Sequence, residues 1–294
     1  MAILPEDMRS VVFLCEERKG KRTPNATGFF IRIKSELHKS LFCEYIVTAR
    51  HVIRQSKSDI LCIRINQQNP TGYIDYSTKI SDWQVHKTSD VAVILSKIPP
   101  PDTTNRLDYT SIPAERFVGA GPAYKYNGPP FGQNDKGLQV GIGDEIYSPG
   151  LFSQRPGTSA NLPIARFGHI SQMPSEITIS IGGNNIITIV AYLAEFVSWG
   201  GMSGSPVFWR LPMSFGVDDA VIKPYFRGIL GVISGHENIP SNKIKRRNDK
   251  FDQGDLEVSL NSGIARITPA EAIRELLASS YLSDCGQTVW RELQ

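Results

Sequence analysis

Three residues far apart in this 294-residue chain are of types that together perform acyl transfer. Ser203 stands in the stretch Gly200-Gly201-Met202-Ser203-Gly204-Ser205-Pro206. Glycines adopt backbone conformations that other residues resist, so consecutive N–H groups can converge on one point. A serine held there would face donors aimed at a developing oxyanion. His51 lies just beyond an apolar run, in Val47-Thr48-Ala49-Arg50-His51, and Asp90 opens the run Asp90-Val91-Ala92-Val93-Ile94-Leu95. Taken singly, the first reads as a tight turn between strands, the second as a histidine serving a backbone carbonyl, and the third as a turn-capping aspartate. Taken together, their roles interlock. A serine hydroxyl is a weak nucleophile until a histidine near neutral pKa removes its proton. That histidine in turn needs a buried carboxylate to fix its tautomer and stabilise the imidazolium.

The elements that must position these residues are short strands. Apolar or alternating runs at 11–15, 27–33, 42–48, 60–65 and 90–95 are separated by turn-forming residues, spaced as in a barrel or sandwich. Pro99-Pro100-Pro101 ends the pattern, because proline cannot donate to a ladder. Strand-like runs resume at 138–140, 145–147 and 164–167. A hairpin is expected from 176–181 and 185–190 through Gly182-Gly183-Asn184, and further strands at 207–210, 228–234 and 262–267. Thr268-Pro269-Ala270-Glu271 reads as N-cap, first helical residue and capping-box glutamate of a single helix, with Ile273, Leu276 and Leu277 on one stripe. The expected organisation is residues 1–100 as a first β-unit with His51 and Asp90, 101–137 as a connection, 138–268 as a second unit with Ser203, and 269–294 as helix and tail. The class is all-β.

Composition excludes more than it selects. A 40% hydrophobic and 21% charged content describes an ordinary soluble globular protein, and the +3 net charge argues for neither nucleic acid nor membrane. The N-terminal residues show no basic region followed by an apolar run, and no stretch is long enough to span a bilayer. The cysteines, Cys15, Cys43, Cys62 and Cys285, are therefore expected as free thiols in a reducing, cytoplasmic setting. Their spacing fits no zinc site, and neither metal nor cofactor is expected.

The blocks Thr48-Ala49-Arg50-His51, Asp90-Val91-Ala92-Val93-Ile94 and Gly201-Met202-Ser203-Gly204-Ser205-Pro206 resemble the signature blocks of the chymotrypsin-like (trypsin-like) serine peptidases, in the form of bacterial stand-alone members. Thr27-Gly28-Phe29-Phe30, Gly143-Asp144-Glu145-Ile146 and Gly263-Ile264-Ala265 are similar to weaker family features. The resemblance spans residues 9–280 apart from the middle connection and two loops. It implies two six-stranded antiparallel β-barrels with a C-terminal helix. It also implies Ser203 as nucleophile, His51 as general base and acid, Asp90 as its orienter, and the N–H groups of Gly201 and Ser203 as the oxyanion hole.

The same resemblance implies that Val197 lies at the base of the primary pocket and that Ser234-Gly235-His236 pairs with an extended substrate. Val197 carries no carboxylate, so a small or apolar P1 residue is expected rather than Arg or Lys. His236 suggests an acidic P1 as a second choice. Secreted relatives carry an aspartate before the nucleophile, and Met202 in that place implies activity that needs no newly freed amine. The basic run 242–250 reads as a solvated loop placed where it could gate the cleft. The expected partners are a protein or peptide substrate and a regulatory protein. Nucleic acid is not expected, since no aromatic residues interleave the basic run. Two other readings stand beside the peptidase: a catalytically silent binding module on the same fold, and an esterase using the same triad. A hydrolase order of Ser203, Asp218 or Asp219, and His236 is disfavoured because the residues after Ser203 read as strand, not helix.

Overall fold

A computed structural model describes residues 3–18, 20–34, 42–68, 72–101, 106–118, 140–180, 186–210, 227–239 and 260–278. Its elements, in order, are α1 (Pro5–Arg9), β1 (Val11–Arg18), β2 (Lys21–Lys34), β3 (Phe42–Thr48), α2 (Arg50–Arg54), β4 (Ile60–Gln67), β5 (Gly72–Lys79), β6 (Gln84–Val85), β7 (Ala92–Leu95) and β8 (Ile112–Pro113). There follow β9 (Glu145–Gly150), β10 (Ile164–Ser180), β11 (Ile186–Glu195), β12 (Pro206–Arg210), β13 (Arg227–Ile239), β14 (Leu260–Pro269) and α3 (Ala270–Ala278). The chain is all-β, in two sheets with a C-terminal helix.

The first sheet has eight strands in the order β5-β4-β1-β2-β3-β7-β6, with β8 added in parallel to β2; the six strands β10-β11-β14-β13-β12-β9 close into a barrel. Side chains alternate faces along a strand, and the first sheet uses both faces. Ala26, Phe30, Ile46, Ala92 and Ile94 point into one core, while Phe29, Ile31, Tyr45, Val47, Val91 and Val93 point into another. The second core is shared between the sheets. Tyr147, Phe208, Ile229 and Val232 from the outer face of the barrel join it, with Ala270, Ile273, Leu276 and Leu277 of α3. Tyr147 stacks on Phe208 at 5.0 Å between centroids. Each such aliphatic or aromatic side chain contributes about 1.5–3 kcal/mol on burial. The two sheets are thus fixed to one another by a dry interface, which any site between them requires.

Several expectations change. The expected hairpin is present, with Glu176 opposite Val190 and Ser180 opposite Ile186, and its tip 181–185 lies outside the described residues. But 164–167 and 176–180 belong to one 17-residue strand, continuous through Pro174 because register shifts between Ile170 and Ser175 absorb the lost donor. Thr268 and Pro269 do not begin a helix. They finish β14, paired with Val232 and Gly231, the helix begins one residue later at Ala270, and Glu271 pairs with Arg274. The connection after Pro101 is partly structured, since Ile112 pairs with Ile31 and Phe117 bridges to Ile229. Cys43 is disulfide-bonded, against the expectation of a free thiol, while Cys15 and Cys62 are free and buried. Burial pushes the Cys15 thiol up to about 12, so it is inert at neutral pH. Asp218, Asp219, Cys285, the basic run 242–250 and the tail 279–294 lie outside the described residues.

Candidate active site

His51 sits in the first turn of α2, the short helix that continues directly from β3. Ala49 is its extended N-cap, and Thr48 Oγ1 donates to Thr27 O at 2.7 Å just before it. Asp90 ends the loop between β6 and β7. Both of its carboxylate oxygens accept from one residue: the His51 backbone N–H reaches Oδ1 at 2.8 Å, and His51 Nδ1 lies 2.7 Å from Oδ2. An ionised carboxylate only accepts, so the proton belongs on Nδ1 and Nε2 is left with a free lone pair. The aspartate is 7% exposed and the imidazole 29% exposed, so the pair is anchored inside and open at its working edge.

The loop that delivers Asp90 is held from three sides. Arg50, buried beside the histidine, donates from Nη1 to the carbonyls of His86 (3.1 Å) and Lys87 (2.8 Å). Burial lowers its guanidinium from the ordinary value, and the nearby Asp90 charge acts in the opposite direction. Within the loop, His86 Nδ1 accepts the N–H groups of Ser89 (2.9 Å) and Thr88 (3.3 Å). The His86 proton therefore sits on Nε2, which donates to Glu275 of α3 at 3.0 Å. Neither Arg50 nor His86 was singled out for this role from the sequence, though Arg50 was visible as a charged residue inside an otherwise apolar block.

Ser203 lies on the turn between segment 197–200, where Val197 and Trp199 are exposed, and β12. The carbonyls of residues 199 to 203 are all engaged. Trp199 O takes the Met202 N–H, Gly200 O the Ser153 N–H, Met202 O the Ser205 N–H, and Ser203 O the Thr27 N–H. Gly201 O takes the Thr27 hydroxyl. Gly204 N–H donates to Ile233 O. Among the described residues, the N–H groups of Gly201 and Ser203 have no acceptor. Gly201 has φ +100, and a Cβ there would meet the Leu151 side chain at 2.8 Å. Met202 is fully buried among the interior residues of the barrel, so apolar packing anchors the turn. The Gly204 backbone packs against Thr48 and Ala49, which sets the serine turn beside the start of the His51 helix. No hydrogen bond joins Ser203 Oγ to His51 among the described residues; such bonds commonly tighten only when substrate is bound.

The residues expected to hold substrate divide into two places. Beyond Ile233, β13 pairs only with β14 among the described residues, so Ser234, Gly235 and His236 present a free strand edge next to the serine turn. Gly235 has φ +145, a conformation that L side chains rarely adopt, and a Cβ there would displace the Arg266 guanidinium, whose Nη2 lies 2.6 Å from that position. Arg266 Nη1 pairs with Glu237 at 2.8 Å. Val197, by contrast, is 42% exposed and lines a hollow of about 710 Å³ with Glu145, Phe167, His169, Glu195 and Arg210. Neither Ser203 nor the 234–236 edge borders that hollow.

Burial lowers the His236 pKa from its ordinary value, reinforced by Arg266 and opposed by a hydrogen bond to Asn238 and by Glu237. A neutral His236 does not supply a cation for an acidic substrate residue. The depressed value also makes a stability prediction. Over the range between the folded value and the unfolded value of about 6.5, the unfolded chain binds more protons, so stability falls as pH falls. In thermal melts, the stability difference between wild type and His236→Asn should therefore be constant above neutrality. The wild type should lose stability relative to the variant below a pH of about 6.5. A constant difference at all pH values would refute this.

No family model and no curated protein matches this chain. Among solved structures it is similar to the MamO protease domain from Magnetospirillum magneticum in its apo form, at 14% identity over 92% of this chain and 97% of that one, with a TM-score of 0.46. It is also similar to the Rv3671c protease from M. tuberculosis. The active form matches at 16% identity, covering 92% and 81% of the two chains with a TM-score of 0.47. The inactive form matches at 15%, covering 92% and 89% with a TM-score of 0.45. These likenesses are loose, and the chemistry rests on the geometry of the site itself. Among the described residues no cluster of His, Cys, Asp or Glu could hold a metal ion, and no helix is long and apolar enough to cross a membrane.

Proposed function

We propose that the chain is a serine endopeptidase that cleaves protein substrates through an acyl-enzyme. Ser203 attacks the scissile carbonyl while His51 Nε2 takes its proton. His51 then returns that proton to the leaving amine, and Asp90 holds the imidazole and stabilises its charged form. The developing oxyanion is received by the Gly201 and Ser203 N–H groups. The observation that carries this reading is that pair of donors, left without acceptors in a turn whose neighbouring carbonyls are all paired. Donors of this kind contribute about 10²–10³ each to rate.

An extended substrate would add a strand to the Ser234–His236 edge. We place the preference at small or apolar P1 residues, with regulation by a protein partner. A cytoplasmic setting loses one support with the Cys43 disulfide, while the free thiols of Cys15 and Cys62 remain in keeping with it.

A fluorophosphonate probe should label the wild-type protein and leave Ser203→Ala unlabelled. Absence of labelling in the wild type would favour a silent binding module and sink the catalytic reading. A peptide library should then yield cleavage at small or apolar residues. Turnover of activated esters without any peptide cleavage would favour the esterase.

A further inference from the structure

Thr27 belongs to β2 of the first sheet and is completely buried, yet most of its polar contacts are made in the other half of the molecule. Its hydroxyl donates to Gly201 O at 2.8 Å and accepts the Leu151 N–H at 2.9 Å. Its own N–H donates to Ser203 O at 2.9 Å, and its carbonyl accepts the Thr48 hydroxyl at 2.7 Å. The hydroxyl proton has one available direction, since Leu151 N–H already points at the oxygen. Every donor and acceptor of Thr27 is thereby used at a single place.

The consequence follows from peptide geometry. In a planar trans peptide the C=O and N–H point in opposite directions, so fixing one fixes the other. Thr27 holds the carbonyls of the 201–202 and 203–204 peptides. Their N–H groups are taken by Trp199 O and Ile233 O. The two clamped planes flank the 202–203 peptide that carries the Ser203 N–H, and one of them adjoins the 200–201 peptide that carries the Gly201 N–H. The free donors' own peptides are held at their oxygens by the Ser153 and Ser205 N–H groups, and Thr27 holds the neighbouring planes, so loss of its hydroxyl removes part of the frame on which both donors rest.

We propose that Thr27 is a positioning residue that keeps the serine turn in its oxyanion-receiving form and couples the His51 and Asp90 half to the Ser203 half. This role rests on the peptidase reading, although the clamp itself can be measured without turnover. Thr27→Val keeps the branched shape and removes the hydroxyl, leaving Gly201 O and Leu151 N–H unpaired. Thr27→Ser keeps the hydroxyl and removes only the methyl.

Hydrogen exchange should show faster exchange of the Met202 and Gly204 amides in Thr27→Val, with the β4 and β5 amides unchanged and Thr27→Ser like wild type. In kinetics, Thr27→Val should lose about 10²-fold in kcat with little change in KM, the size expected for misplacement of catalytic groups. Its affinity for a peptide aldehyde, which presents an oxyanion, should fall in parallel. Thr27→Ser should restore both. Unchanged exchange and unchanged kcat in Thr27→Val would overturn the inference, as would a loss in Thr27→Ser equal to that in Thr27→Val. If Thr27→Val does not fold, Thr27→Ser decides: wild-type exchange and kcat uphold the hydroxyl clamp, and loss of either rejects it. If wild type shows no turnover, the peptidase reading falls and exchange alone judges the clamp.

Discussion

Asp90→Asn should lower kcat/KM for a peptide substrate about 10⁴-fold, the size that a wrong histidine tautomer costs. The two oxygens of Asp90 accept from the His51 backbone N–H and from Nδ1. An asparagine has one oxygen and one NH₂, so it can serve only one of these donors. If its oxygen keeps the backbone N–H, its NH₂ faces Nδ1 and drives the ring proton to Nε2. The nitrogen that should take the Ser203 proton is then already occupied. Labelling by the fluorophosphonate should slow in proportion. Arg50 adds a second effect, since the variant removes the negative charge beside a buried guanidinium. The guanidinium keeps its bonds to the His86 and Lys87 carbonyls but loses the favourable field of Asp90, so the melting temperature should drop modestly as well. Retention of more than about a tenth of wild-type kcat/KM would remove Asp90 from the mechanism as described.

Gly204→Ala should strongly destabilise the fold at the site. The residue has φ +86, a conformation that L side chains rarely adopt, and an added Cβ would overlap Thr27 O and Thr48 Oγ1 while lying 3.1 Å from Ala49 N. None of these is the flexible end of a long side chain; two are backbone atoms and the third is committed to a buried hydrogen bond. Relief would have to come from moving the serine turn away from β2 and α2, which breaks the Thr27 and Ile233 contacts together. A loss of more than about 4 kcal/mol is expected, in the range reserved for such failures. Urea unfolding monitored by tryptophan fluorescence would measure it. A folded Gly204→Ala chain with an unchanged midpoint would mean that the turn and the histidine helix are not packed as described.

The serine turn, His51 and Asp90 were legible in the sequence because their types carry the chemistry and glycines mark special backbone. The all-β class, the Glu176–Val190 pairing and most strand positions were legible from alternation. What escaped was non-local or context-dependent. Thr27 and Gly201 are 174 residues apart, and nothing in either neighbourhood announces the bond between them. Thr268 and Pro269 have a good helix-start pattern, but pairing with Val232 and Gly231 outweighs it. The runs 164–167 and 176–181 read as separate strands, whereas a register shift lets one strand pass through Pro174. α2 is five residues long, too short for a periodic signal. The disulfide of Cys43 has no counterpart in any local pattern.

The position of β14 has a bearing on when the site can exist during synthesis. Among the described residues it is the last strand in sequence, yet it lies between β11 and β13 in the closed barrel. A ribosome-bound chain that has exposed β9 through β13 therefore has two unjoined edges, one of them on the strand that supplies Ile233 to the serine turn. α3 follows immediately and brings Glu275 to His86, the last tie on the loop of Asp90. Nascent chains would thus carry Ser203, His51 and Asp90 for some time without the frame that joins them. In such an order of assembly, the site is completed only when β14 and α3 join the frame.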